Sequence, residues 1–302
     1  MFEIRKPSFL LIVIIMITVF SGCNSSHNIP KGYSIVCARS FSVIEFTADN
    51  PDGRIKYQLN KQGDTIITAV SYNSESKILA IAITKKEPEK GSAKIVFQKK
   101  ESSSPFAEIA LNKYYYVQDM ALSANGKIAF SAKSLNRELP EELCYVDSYE
   151  KSDLFFLAKA NRITNLSWNT DTTEVYFACQ KGANRIVAYV NLENPGVVKT
   201  IDEGISIALS ESGKLAYLKL DGHILFLEKL GQTPVILNLP SKYTNPQYTD
   251  SIRFVGGTEE IILQHYKKSI VYDLIVTKPP YRDVEVLMKN IGMQDYYVIR
   301  QG

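Results

Sequence analysis

From residue 33 onward the apolar residues fall in short runs of strand length, separated by polar turns rich in Gly, Asn, Asp and Ser. Some runs have no polar member, as in Ile78-Leu-Ala-Ile-Ala-Ile83. A strand packed on both faces needs that composition, whereas a strand with one wet face alternates. Lys94-Ile-Val-Phe-Gln98 comes closer to alternation. Long apolar stretches at helical spacing are missing after residue 22, so the pattern predicts an all-β chain.

The strands recur with a period. Ser123-Ala-Asn-Gly-Lys-Ile-Ala-Phe130 returns as Ser210-Glu-Ser-Gly-Lys-Leu-Ala-Tyr217. Looser copies surround Lys77, Glu174 and Glu260. Aligned on the charged residue, the copies sit at 77, 127, 174, 214 and 260, with spacings of 50, 47, 40 and 46. A step near this length suits a propeller blade of four strands. A β-sandwich has no reason to repeat at it, and a β-helix repeats at a much shorter one. Small residues recur in the second strand of each unit, at Ala80, Ala82, Ala129 and Ala216, where sheets crowd toward an axis.

The two ends complete the count. Residues 33–59 supply three strands, Tyr33–Ala38, Ser42–Thr47 and Arg54–Leu59, the last two joined across Asn50-Pro-Asp-Gly53. The tail supplies a fourth, since Met293-Gln-Asp295 aligns with Val117-Gln-Asp119. The expected fold is a six-bladed β-propeller of four-stranded antiparallel blades over residues 33–302. The C-terminal strand joins the first blade and closes the ring, which removes exposed edges.

The Ser-x-x-Gly-Lys-Ile/Leu-Ala-Phe/Tyr element resembles the repeat of TolB-type propellers and of the propellers beside prolyl-oligopeptidase catalytic domains. Their usual motif is Ser-Pro-Asp-Gly-Lys; here the Pro is absent from the repeat turns, and Asp survives only as Asp171. The resemblance implies a fold and no activity. The chain also looks like bacterial lipoproteins made of one six-bladed propeller, which implies binding of a protein, peptide or glycan in the cell envelope.

Residues 1–22 read as a targeting segment. Arg5 and Lys6 precede Phe9–Phe20, in which only Thr18 is polar. As a helix this run spans roughly 18 Å, short of the ~30 Å hydrocarbon core. Phe20-Ser-Gly-Cys23 resembles the lipobox of bacterial lipoproteins, with Phe20 in place of the usual Leu. The resemblance implies lipidation at Cys23, a polar tether over residues 23–32, and an envelope location in the outer membrane, periplasmic or surface-facing. The other cysteines, Cys37, Cys144 and Cys179, lie in apolar runs and are expected to be buried thiols. A formal net charge of +3 is too small to argue for nucleic acid. A monomer is expected.

Propellers gather ligands at the central channel and at the loops leading into each innermost strand. Tyr114, Tyr115, Arg162, Tyr243 and Tyr248 fall in those loops and form a candidate partner-binding face, since Tyr and Arg dominate interface hot spots. Asp119, Asp202, Asp250 and Asp295 fall at or just before innermost strands. A ring of such carboxylates could hold Ca²⁺, or the same groups could be bonded to nearby amides. The primary expectation is a binding protein without enzymatic activity or cofactor. The alternative is a metal-dependent propeller hydrolase or lyase with these acids in the channel. No Gly-x-Ser-x-Gly elbow or phosphate loop occurs in the sequence, which leaves nucleophilic catalysis unsupported.

Overall fold

The computed structural model describes residues 27–102, 104–151, 153–244, 249–268 and 271–301. The targeting segment, Cys23 and Tyr248 lie outside them. Six sheets of four antiparallel strands form the chain. The first three strands are β1 (Tyr33–Arg39), β2 (Ser42–Thr47) and β3 (Asn50–Gln58). The second sheet is β4 (Thr65–Asn73), β5 (Ile78–Lys85), β6 (Ala93–Lys99) and β7 (Ala107–Leu111). The third is β8 (Tyr114–Leu122), β9 (Ile128–Ser134), β10 (Glu141–Val146) and β11 (Phe155–Ala160). The fourth is β12 (Arg162–Trp168), β13 (Glu174–Lys181), β14 (Asn184–Asn191) and β15 (Val198–Glu203). The fifth is β16 (Ser206–Leu209), β17 (Leu215–Leu218), β18 (Ile224–Leu227) and β19 (Val235–Ile236). The sixth is β20 (Thr249–Phe254), β21 (Ile261–Lys268), β22 (Val271–Thr277) and β23 (Val284–Gly292). The last strand, β24 (Asp295–Arg300), returns to the first sheet in the order β24-β1-β2-β3. Its register runs from Tyr33 opposite Arg300 to Ala38 opposite Asp295. The six-bladed ring and its closure are therefore as the repeat predicts.

Six apolar clusters lie between successive sheets, and they explain the strand compositions. In β5, Ile78, Ala80 and Ala82 pack toward the third sheet, while Leu79, Ile81 and Ile83 pack toward the first. A stretch packed against apolar sheets on both faces favours apolar side chains at every position. The repeated turn has an equally local cause. The Ser123 N–H donates to the Lys127 carbonyl at 2.9 Å, and Ser210 N–H does the same to Lys214 at 2.8 Å. Gly126 and Gly213 sit at φ +85° and +83°, a region where a side chain is strained. Each charged repeat residue thus stands at the start of a second strand.

Some boundaries differ from the sequence reading. The turn in the first blade lies at 48–49, with Thr47 paired to Asn50. Pro51 to Gly53 belong to a bulge inside β3, which accommodates a proline and a glycine at positive φ better than a regular ladder does. Tyr114–Tyr116 are likewise strand rather than loop, because β8 begins three residues earlier than its apolar run. At the amino end Ile29, counted with the tether, is buried in the cluster between the sixth and first sheets.

Candidate functional site

The innermost strands β24, β4, β8, β12, β16 and β20 surround the axis, and their polar side chains tie one blade to the next. The Ser206 hydroxyl accepts from Ile252 N–H at 2.9 Å, and that of Ser71 from Leu122 N–H at 2.9 Å. Asp295 and Asp119 make the same kind of link with carboxylates. Asp295 Oδ2 accepts from Val70 N–H at 2.8 Å and Oδ1 from Tyr296 N–H at 2.8 Å. Asp119 Oδ1 accepts from Met120 N–H at 2.7 Å, and Oδ2 from Asn165 N–H. Asp295 and Asp119 are thus each bonded to nearby amides.

Arg253 of β20 spans the axis between them. Its Nη2 lies 2.8 Å from Asp295 Oδ1 and 3.6 Å from Asp119 Oδ1, on the opposite side of the ring. Its Nη1 donates to the Tyr296 carbonyl, and its guanidinium stands 5.0 Å from the Tyr296 ring centroid. Two carboxylates share one cation, and both are at least nine-tenths buried. Burial pushes the Asp119 carboxyl up, Arg253 draws it down, and Asp295 pushes it up again, to about 6. A folded value raised above the ordinary 3.8 means that the folded chain holds this proton more tightly. The resulting contribution to stability is fully present below pH ~3.8 and is lost as pH rises through ~6. Carboxyl-carbon NMR should show Asp119 titrating near pH 6; a midpoint at or below about 4 contradicts burial beside Asp295 as the stronger influence on it.

The belt of Arg253, Asp119 and Asp295 separates two cavities. The outlet cavity, about 360 Å³, lies where the innermost strands end. It is lined by Tyr72, Trp168 and Tyr297 together with Glu75 and Glu211. Its mouth is crossed by Glu211, whose Oε1 accepts from Ser74 Oγ at 2.7 Å and from Gly257 N–H at 3.0 Å. These contacts tie turns of the second, fifth and sixth blades together.

The inlet cavity, about 320 Å³, lies where the chain enters the innermost strands, with walls from every blade except the second. Besides the belt it is lined by Gln118, Arg162, Gln180, Arg185 and Gln264. Arg162 pairs across the ladder with Gln180, and Gln180 with Arg185. The three therefore form one row across β12, β13 and β14, and all three line the cavity. The hairpin between β13 and β14 fixes this row through a two-residue turn at Gly182 and Ala183, with Gly182 at φ +63°.

Of the residues singled out from sequence, Arg162, Asp119 and Asp295 meet at the inlet. Tyr114 does not reach it. Its hydroxyl donates to Glu142 Oε2 at 2.6 Å and lies 3.2 Å from Cys144 Sγ, inside the apolar cluster between the second and third blades. Tyr115 is half-buried beside Tyr116, with ring centroids 6.1 Å apart. Tyr243 packs on the cluster between the fifth and sixth blades, its ring 5.8 Å from that of His265. Asp202 belongs to outermost β15, where it accepts from Tyr217 Oη at 2.9 Å and pairs with Lys219 Nζ at 3.2 Å. Asp250 lies in β20, and Tyr248 falls outside the described residues. Among the described residues no group of three or more His, Cys, Asp or Glu side chains is placed to hold a metal ion. Cys37, Cys144 and Cys179 are buried free thiols. Arg185, Gln180 and Gln264 were not singled out from sequence; only strand register could have revealed the first two.

No family model matches the chain, and no curated protein matches it. Solved structures do share its fold. TolB from Acinetobacter baumannii is 12% identical with a TM-score of 0.65, covering 95% of this chain and 70% of that one. The putative TolB from Agrobacterium tumefaciens is 12% identical with a TM-score of 0.63, covering 90% of this chain and 99% of that one. A chain of a nidogen/laminin complex is 9% identical with a TM-score of 0.64, covering 88% of this chain and 98% of that one. The fold is thus similar to that of TolB proteins, and at these identities the likeness concerns the fold alone.

Proposed function

We propose that the chain is a non-enzymatic lipoprotein of the bacterial cell envelope, anchored through Cys23, whose propeller binds a protein, peptide or glycan partner at the inlet face. The observation that carries this reading is the inlet cavity itself. Its polar side chains come from separate blades and converge on one opening. Convergent polar groups in a concave site held by rigid strands are what recognition needs. The anchoring half rests on the basic residues, the apolar run and Ser21-Gly-Cys23. Among the described residues no helix is long and apolar enough to cross a membrane.

Expression of the full chain in a bacterium with labelled palmitate should give a labelled, membrane-bound product. The Cys23→Ser variant should be unlabelled and released from the membrane. Crosslinked pull-down through the lipidated form should recover a partner, and changes at the inlet should deplete it. Label retained by Cys23→Ser, or a partner untouched by inlet changes, overturns the corresponding half.

A further inference from the structure

The row of Arg162, Gln180 and Arg185 is electrostatically incomplete. The two guanidiniums flank one amide on the same face of the fourth blade and line the same cavity. Both side chains are exposed. Among the described residues every ion pair of the cavity lining belongs to Arg253. Arg162 and Arg185 enter none, and no hydrogen bond holds either side chain. The carboxylate nearest in influence to Arg162 is Glu141. It already pairs with Lys133 Nζ at 3.6 Å and accepts from Ile163 N–H at 2.8 Å. Arg presents a planar fork that matches a carboxylate with two parallel hydrogen bonds.

The rest of the lining narrows the ligand. Gln118 and Gln264 contribute amides that make no hydrogen bond within the described residues. Thr164 and Ser251 add hydroxyls, and Asn165 adds an amide whose Nδ2 donates to Ser251 Oγ at 2.8 Å. Amides and hydroxyls each donate and accept, as neighbouring hydroxyls of a sugar ring do. Apolar wall is confined to Ala178, Cys179 and Ile205 with the ring of Tyr272, which offers little to the side chains of a peptide. The volume, about 320 Å³, falls at the low end of the ~300–1,000 Å³ typical of small-ligand clefts.

We infer that the inlet cavity binds an acidic saccharide, a hexuronate-type unit whose carboxylate is held by Arg162 and Arg185 and whose hydroxyls meet the glutamine amides. This rests on the binding-protein reading above and names the partner's chemistry.

The test is calorimetric titration of the purified full chain in detergent with di- to tetrasaccharides of galacturonate, glucuronate and mannuronate. The controls are their methyl esters, neutral hexose oligomers, an acidic peptide of equal charge, and inorganic phosphate. At least one uronate should bind saturably, with affinity falling as salt is raised. Its methyl ester should bind on the order of tenfold more weakly or worse, and Arg162→Gln and Arg185→Gln should each lose on the order of 10–100-fold, as for a charge-assisted hydrogen bond. Both variants should melt within about 2 °C of the wild type, since among the described residues neither side chain makes a hydrogen bond or an ion pair. Failure of every uronate to bind overturns the inference. So does binding indifferent to both substitutions, or tighter binding of the peptide or of phosphate. Envelope partners still captured through the inlet when no uronate binds would remove the saccharide and leave the binding-protein reading in place. Loss of both removes both.

Discussion

A chain ending at Met293 is expected to lose cooperative folding altogether. The deletion removes β24, and with it buried Tyr296, Val298 and Ile299. Each such side chain contributes roughly 1.5–3 kcal/mol by burial, so the three together approach the 5–15 kcal/mol that holds a whole domain. The loss does not stop at packing. The pairing of β1 with β24 disappears over six residues, and β1 becomes an open, almost fully buried-type edge (burial is broken only at Arg39) exposed to other chains. Asp295 goes too, which strips Arg253 of its closer carboxylate and Val70 N–H of its acceptor. Near-UV circular dichroism and scanning calorimetry of the truncated chain should show no cooperative transition, with aggregation on concentration. A transition within about 5 °C of the full chain, a shift worth only a few kcal/mol at this size, would show that the ring does not depend on its last strand.

Arg253→Met should be the most damaging single substitution at neutral pH. It leaves Asp119 and Asp295 buried together with no cation between them. Removing one partner of a buried charge cluster costs about 3–5 kcal/mol. At ~2–4 °C per kcal/mol for a domain of this size, the melting temperature should fall by roughly 6–20 °C at pH 7.5. The loss should narrow at pH 5, because Asp119 already tends to hold its proton below about 6 and a protonated acid beside a carboxylate is no longer a like-charge pair. Adding Asp119→Asn to Arg253→Met should recover part of the deficit at pH 7.5, a non-additivity expected of groups in one network. Thermal melts at the two pH values decide it. A variant melting within about 2 °C of wild type, or one whose deficit is the same at both pH values, would contradict the shared cation.

The fold was legible because propeller strands are short, buried on both faces and repeated. Ile78–Ile83 has no polar residue because each face meets a different neighbouring sheet. The alignment of Asp295 with Asp119 anticipated two side chains that converge on one guanidinium. The site was legible only in part, for a physical reason. Which side chains reach a channel depends on strand register, and a bulge or a shift of one residue turns a side chain to the other face. The polar residues before it place Tyr114 in a loop; β8 starts at that residue, and its ring lies in the core. The sequence places Asp202 just before an innermost strand; β15 runs through it, so it sits on the outer rim. Arg253 carried no signal, being one basic residue in an apolar run, although it ties the two acids together. Arg185 pairs through Gln180 with Arg162 only because the turn between β13 and β14 has two residues.

Pairing β1 with β24 places Tyr33 opposite Arg300, so the first and last strands meet in one sheet. A chain emerging amino end first has no partner for the inner edge of β1 until β24 has been made. The first blade is therefore the earliest synthesised and the last completed, and its long-range pairing makes assembly slow relative to that of the blades between. Any factor that keeps this chain unfolded has to guard one particular edge, and its release is timed by the arrival of the six residues of β24.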